Sequence, residues 1–217
     1  MSTIWPPSKG LSTTHVSRQD TVLPIHASTR ISAPGHKVLA ALLDLSNYNR
    51  WNRFCPSATI DEQPQPQAIQ SIGGELNNDP TQLQVGTLFT LHVIMNQSKP
   101  GSRTDASLRC TDISTPEHPT NYVPNEIRES DAVYYPDLQK LYRVTWKSEG
   151  GFVSRGLRAE RFHEIIVLSE NECEVRTWEC QGGILARTVK WMYAKTLMDA
   201  FAMWVEDLKG YCEGRET

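Results

Sequence analysis

The chain has 217 residues, with 22 Lys and Arg against 25 Asp and Glu, for a formal net charge of −3. Hydrophobic residues make up 39% and charged residues 22%. That is enough for one sizeable core, and it excludes collagenous, fibrous and wholly disordered chains. The charge balance gives no electrostatic footprint for general binding to nucleic acid or anionic membranes.

Residues 1–20 are rich in Ser, Thr and Pro without periodicity, and read as a flexible tail. From Thr21 to Ile31 the chain alternates, with Leu23, Ile25, Ala27 and Ile31 on one side, as a half-buried strand does. Ser32 is placed as the N-cap of a helix with Pro34 in its first turn, continuing through Val38, Leu39, Leu42 and Leu43. A second short helix or turn follows over residues 45–52, where Trp51 and Asn52 are expected to anchor it against a sheet.

Residues 55–60 read as a short strand and 61–84, rich in Gln, Pro, Asn and Gly, as a loop excursion. Residues 86–95 form a clear strand in which Phe89, Leu91, Val93 and Met95 make the better inner face. Further strands are expected over 108–113, 140–147, 157–168 and 172–180, the last two joined by the turn Ser169-Glu170-Asn171. Residues 114–137 carry four prolines and form a second long loop. Gly182 and Gly183 break the pattern, and residues 184–209 read as one helix about 39 Å long, with Gly210 as its stop. Its apolar stripe, from Leu185 and Val189 to Leu208, is wide enough for a helix enclosed by a curved sheet.

Strands joined without helices are antiparallel, so the class is α+β. The expected architecture is a curved antiparallel sheet of about six to seven strands wrapped round a long C-terminal helix, with two short helices after the first strand and a cavity between sheet and helix. One domain spans 21–211, with loop insertions near 61–84 and 97–137 and a short tail over 212–217. No stretch is long and apolar enough to span a bilayer, and the first residues lack the apolar core of a secretory signal. Five cysteines without a CxxC read as free thiols in a reducing compartment, so a cytoplasmic location is expected. Asn96-Gln97-Ser98 is taken as a chance match to the glycosylation triplet.

This order resembles the helix-grip fold of the START / Bet v 1-like superfamily, which includes polyketide cyclase/dehydrase and lipid-transport proteins. The resemblance rests on Ala33-Pro34, Val38, Leu42-Leu43-Asp44 and Tyr48-Asn49-Arg50-Trp51-Asn52 at one end. At the other it rests on residues 158–165, Glu179, Gly183-Ile184-Leu185-Ala186 and the helix from Phe201 to Lys209. The resemblance implies a hydrophobic ligand such as a lipid, quinone or polyketide-like metabolite. It leaves open whether the protein carries its ligand or converts it. Bacterial relatives of the cyclase type often have His where Arg161 stands.

Motifs for nucleotide hydrolysis, dinucleotide binding, metalloprotease action and serine hydrolysis are missing, and no Cys/His spacing fits a metal. No cofactor, metal or nucleic-acid partner is expected. Proton-transfer chemistry needs only one or two placed groups, and the candidates are Arg161, Glu179, His163 and His92. A three-residue turn after Leu168 sets Arg161 opposite Glu179 and His163 opposite Thr177. A four-residue turn sets Trp178 opposite His163 instead. Facing inward, Arg161 and Glu179 would be forced to pair, and such a pair could polarise a carbonyl; facing outward, they would be a surface bridge. His163 reads somewhat better as part of a cross-strand bridge at the surface or rim, and His92 as pointing to solvent. Tyr142, Trp146, Trp178, Met192, Leu197 and Phe201 are the candidate ligand-lining residues. Cys55 and Cys110 read as inert thiols. Tyr122, Tyr134 and Tyr135 of the 114–137 loop could close over a ligand, and the loop could instead capture a protein.

Overall fold

A computed structural model describes residues 5–64, 79, 81–150 and 156–215. Most of the 61–84 excursion therefore lies outside the described residues. The strands are β1 (Leu23–Ile31), β2 (Ser57–Glu62), β3 (Leu88–Val93), β4 (Thr104–Ser114), β5 (Leu141–Ser148), β6 (Arg158–Ser169) and β7 (Glu172–Gly182). They form one sheet in the order β1-β7-β6-β5-β4-β3-β2, antiparallel at each pairing. Helix α1 (Gly35–Leu43) and a 3-10 helix (Leu45–Arg50) follow β1, α2 (Asn125–Ser130) lies between β4 and β5, and α3 (Ile184–Cys212) closes the order.

The long helix lies across the concave face of the sheet. Its second half packs tightly, with Phe201, Trp204, Val205 and Leu208 all buried in the main core. Trp51 meets Trp204 at 5.7 Å and Tyr211 at 6.3 Å, and Asn52 accepts the Cys55 N–H at 2.8 Å. Arg53 grips the buried Asp207 through its guanidinium at 2.9 and 2.6 Å. These contacts tie the turn after the 3-10 helix to α3.

Both helix ends depart from the expectation. Pro34, extended at φ −60 and ψ 141, is the residue before α1, and Ser32 makes no cap; its N–H donates to Glu213 instead. Gly210 is buried inside α3, which runs on to Cys212 because Tyr211 stacks on Trp51. The stop falls at Gly214, at φ 69, where the Gly214 and Arg215 N–H groups bond back to Tyr211 and Gly210. At the other end Gly183 has φ 93, and a Cβ there would stand 2.6 Å from the Gly156 carbonyl oxygen. Only glycine fits that corner between β7 and α3.

The expectation of a loose first segment fails for residues 5–20. The outward side of β6 and β7 presents Phe162, Trp178 and Cys180, which need a cover. Leu11 and Val16 supply part of it, and Val123, Val133 and Tyr134 of the 114–137 loop supply the rest. Trp178 donates its indole N–H to the Ser12 carbonyl at 3.0 Å, and Arg18 binds Asp131 at 2.7 and 2.9 Å. Glu160, fully buried, accepts from the Thr14 hydroxyl, the His15 N–H and the Tyr122 hydroxyl. The sheet is thus buried on both faces at β6 and β7.

Candidate functional site

The first half of α3 stands off from β3 and β4 and leaves a cavity of about 350 Å³. Alternation along the strands decides its walls. Leu91, Val93 and Met95 from the β3 segment, Ala106 and Leu108 from β4, and Trp146 from β5 face inward. Helix α3 adds Val189, Tyr193, Leu197 and Phe201, four residues apart and so on one side. The floor is polar: Arg161 of β6 with Glu179 and Gln181 of β7.

The β6–β7 register brings these three together. Arg161 is opposite Glu179, His163 opposite Thr177 and Ala159 opposite Gln181. The turn itself is shorter than expected, with Glu170 and Asn171 between the strands and a bulge between Val167 and Ser169. The extra residue at the bulge restores the register of the three-residue alternative.

Arg161 is 4% exposed. Its Nε donates to the Thr177 hydroxyl at 3.1 Å, and its guanidinium carbon lies 3.8 Å from the Phe201 ring centroid and 4.7 Å from that of Trp204. Burial lowers its pKa, against the raising effect of Glu179. Among the described residues no ion pair includes Arg161, and its Nη2 has no hydrogen-bond partner. Glu179 accepts from the Gln181 side-chain amide at 2.6 Å, which leaves Gln181 Oε1 buried and unpartnered. Of the two alternatives, the inward one holds, but in place of a closed Arg161–Glu179 ion pair the floor carries three neighbouring polar groups. Gln181 was missed, although it lies two residues beyond Glu179 and so on the same face.

Trp146, Leu197, Phe201, Arg161 and Glu179 line the cavity. The other candidates do not. Trp178 neighbours Glu179 in β7, so it points to the opposite side, stacked on Phe162 at 4.9 Å. Met192 is 51% exposed on the outer side of α3, together with Trp191 at 85%. The wide apolar stripe is thus only partly covered. Tyr142 is on the inner face but beyond the cavity, its ring packed where a Cβ on Gly35 would fall at 2.9 Å. His92 faces outward between Thr59 and Asp105, at 2.9 and 2.7 Å.

His163 lies within the core and not in the cavity wall, with Trp146 at 4.1 Å and Trp204 at 5.1 Å. Its Nδ1 bonds the Val144 carbonyl at 3.3 Å. Burial, then the Arg161 charge, lower its pKa well below 6.5, so the ring is neutral. The Cys55 thiol lines the cavity, but burial pushes it up to about 12, far from a nucleophilic thiolate. Cys110 is also raised by burial. Tyr122, Tyr134 and Tyr135 are on the outer layer and not over the cavity: Tyr134 meets Phe162 and Trp178, and the Tyr135 N–H donates to Glu164.

A seven-stranded antiparallel sheet gripping a long C-terminal helix is the helix-grip fold of START and Bet v 1-like proteins. It is shared with an aromatase/cyclase from Streptomyces sp. R1128, at 11% identity and TM-score 0.52 over 88% of this chain and 93% of that one. A major latex-like protein from Panax ginseng matches at 13% identity and TM-score 0.52, over 87% and 96%. A hypothetical protein from Helicobacter pylori matches at 13% and 0.58, over 88% and 89%. No family model matches the chain.

Closer kinship comes from sequence. The chain is 31% identical to the oxopyrrolidines biosynthesis cluster protein O of Penicillium oxalicum, across 95% of this chain and 94% of that one. It belongs to the family of that protein. Among the described residues no helix is long and apolar enough to cross a membrane.

Proposed function

We propose that the protein binds a small, largely apolar organic molecule of a specialised-metabolite pathway in the cavity between the sheet and α3. The observation that carries this reading is a cavity of about 350 Å³ with apolar walls and a few convergent polar groups, the usual make-up of a small-molecule site. Kinship with a biosynthesis-cluster protein supports the pathway assignment. Trp146, Leu197 and Phe201 serve as apolar walls, and Arg161 and Glu179 orient the ligand.

A second reading is supported by Glu179. Its carboxylate lines the cavity without an ion pair, beside the buried Arg161 charge. A carbonyl held by Arg161 would be polarised, and Glu179 could take a proton from the carbon next to it. That is the chemistry of a cofactor-independent cyclase, dehydratase or isomerase.

Binding is tested by titrating the protein with the fluorescent dye N-phenyl-naphthylamine and by native mass spectrometry of the freshly purified protein. Saturable one-to-one binding, lost in a cavity-filling Ala106→Trp variant that keeps its thermal stability, is the expected result. Equal dye binding by the two proteins would overturn the reading. For the second reading, Glu179→Gln should leave ligand affinity within a few fold and lower turnover by about 10²–10⁴-fold. Unchanged turnover would remove Glu179 as the base.

A further inference from the structure

The first half of α3 is uncovered on its outer side. Ile184 and Trp191 are each 85% exposed there, and Met192, Tyr193 and Met198 are exposed with them. Ile184, Trp191 and Met198 recur every seven residues, so they form one line along the side of the helix turned away from the sheet. Among the described residues the remaining large exposed apolar side chains are Ile127 and Leu168, each on another element. Apolar exposure gathered on one face in this way marks an interaction surface.

Charge selects the occupant. Residues 184–198 carry Arg187, Lys190 and Lys195 and no acid, in a chain of net charge −3. Arg187 and Lys195 stand four residues either side of Trp191, on the same exposed side of the helix. Lys195 reaches Asp199, just beyond the line, at 2.6 Å, and Lys190 donates to the Val22 carbonyl at 3.1 Å. A second copy of the chain is a poor occupant, because a two-fold pairing of this face, parallel or antiparallel, sets cation against cation. A protein partner must supply a groove that matches the ridge. A bilayer interface takes a ridge of any shape: the indole rests among the head groups, and the Lys and Arg stems reach back to the phosphates. The line also borders the open side of the cavity. Tyr193 lines the cavity and is exposed, as are Thr104, Asp105 and Gly150 of the opposite wall, where Asp105 is bonded to His92 at 2.7 Å.

We infer that the uncovered side of α3 is a docking surface for an anionic lipid bilayer. Ile184, Trp191 and Met198 enter the boundary between head groups and acyl chains, and Arg187, Lys190 and Lys195 face the lipid phosphates. The net charge of the whole chain opposes general attraction, so the contact is confined to this face. An apolar molecule dissolved in the bilayer then has the cavity mouth beside it. The docking rests on the helix face alone, and only its use rests on the cavity being the binding site.

The test is co-sedimentation of the full chain with vesicles of equal parts phosphatidylcholine and phosphatidylglycerol, followed also by tryptophan emission. Trp51, Trp146, Trp178 and Trp204 are buried, so a blue shift on binding reports chiefly Trp191, and Trp191→Phe should remove most of it. Affinity should fall about tenfold in Trp191→Ser. It should fall about twentyfold when Arg187→Gln and Lys195→Gln are combined, at about fivefold per cation, and at least as far on phosphatidylcholine alone. Added salt should weaken it further. These side chains are exposed, so the variants should keep the native melting temperature. No sedimentation of the native protein would overturn the assignment and leave an acidic protein surface as the complement of this face. Equal sedimentation with neutral vesicles, or unchanged sedimentation of the variants, would overturn it as well. So would a dimer in light scattering whose Trp191 is shielded from iodide, which would give the face to a second copy. Dye binding measured without lipid should stay within about twofold in Trp191→Ser, so failure of the docking and failure of the cavity reading are told apart.

Discussion

Alternate residues of one strand serve two different layers. On β6, Arg161, His163 and Ile165 face α3, while Glu160, Phe162 and Glu164 face the cover made by residues 5–20 and 115–137. On the outer side Glu160 meets three donors from Thr14, His15 and Tyr122, so its bonding capacity is spent on holding the fold. On the inner side Arg161 keeps a free nitrogen and no paired carboxylate. Two buried charges one residue apart therefore do opposite things. One closes a layer, and the other keeps a buried nitrogen that no group of the described residues meets. A buried charge with its partners present marks structure, and one with a partner missing calls for a further explanation.

The comparison breaks if the layers are not separable. Trp178→Ala should cost about 3–5 kcal/mol in urea unfolding, as a fully buried ring replaced by a cavity does, yet leave dye affinity within about twofold. Loss of dye binding in the folded variant would show that the outer layer shapes the cavity.

Titration sharpens the contrast, because each layer holds one buried group with an opposite response. Burial raises Glu164 on the outer side from 4.5 to about 7. Its contribution to stability is full below pH 4.5 and is lost as pH rises through 7, at up to about 1.4 kcal/mol per pH unit. Glu164→Gln should remove this decline in a series of melting curves between pH 5 and 7.5. His163 on the inner side, lowered well below 6.5, acts in the other direction, and stability is lost as pH falls below 6.5. His163→Phe should abolish that acid-side loss. Identical pH curves for native protein and both variants would show that neither group titrates on unfolding.

The smallest expected effect is on Arg161. Arg161→Met removes a buried charge with no ion pair, so unfolding should become harder by about 1 kcal/mol. A large destabilisation would mean that Arg161 is structural, as Glu160 is.

The fold was readable because each major element carries its own period. Leu23, Ile25 and Ile31 alternate, and Leu197, Phe201 and Leu208 recur at helical spacing. The pair Arg161 and Glu179 was readable for the same reason, once the turn length was granted. Trp178 was misplaced because an aromatic residue suits either face of a sheet that is buried on both. The 5–20 segment was misread because its order comes from long-range partners, Glu160, Phe162 and Trp178, and from no local period. Met192 failed because a wide stripe does not say which of its edges is covered.

The strap over the outer face also bears on the order of assembly. Thr14 and Ser12 reach partners 146 and 166 residues away, in β6 and β7. During synthesis this segment is made long before those strands, and until they pair it has no surface to rest on. Contacts spanning most of the chain are slow to form. Residues 5–20 should therefore settle last. Deleting them should speed the appearance of a sheet that then exposes Phe162 and Trp178, a species prone to stick to its own kind.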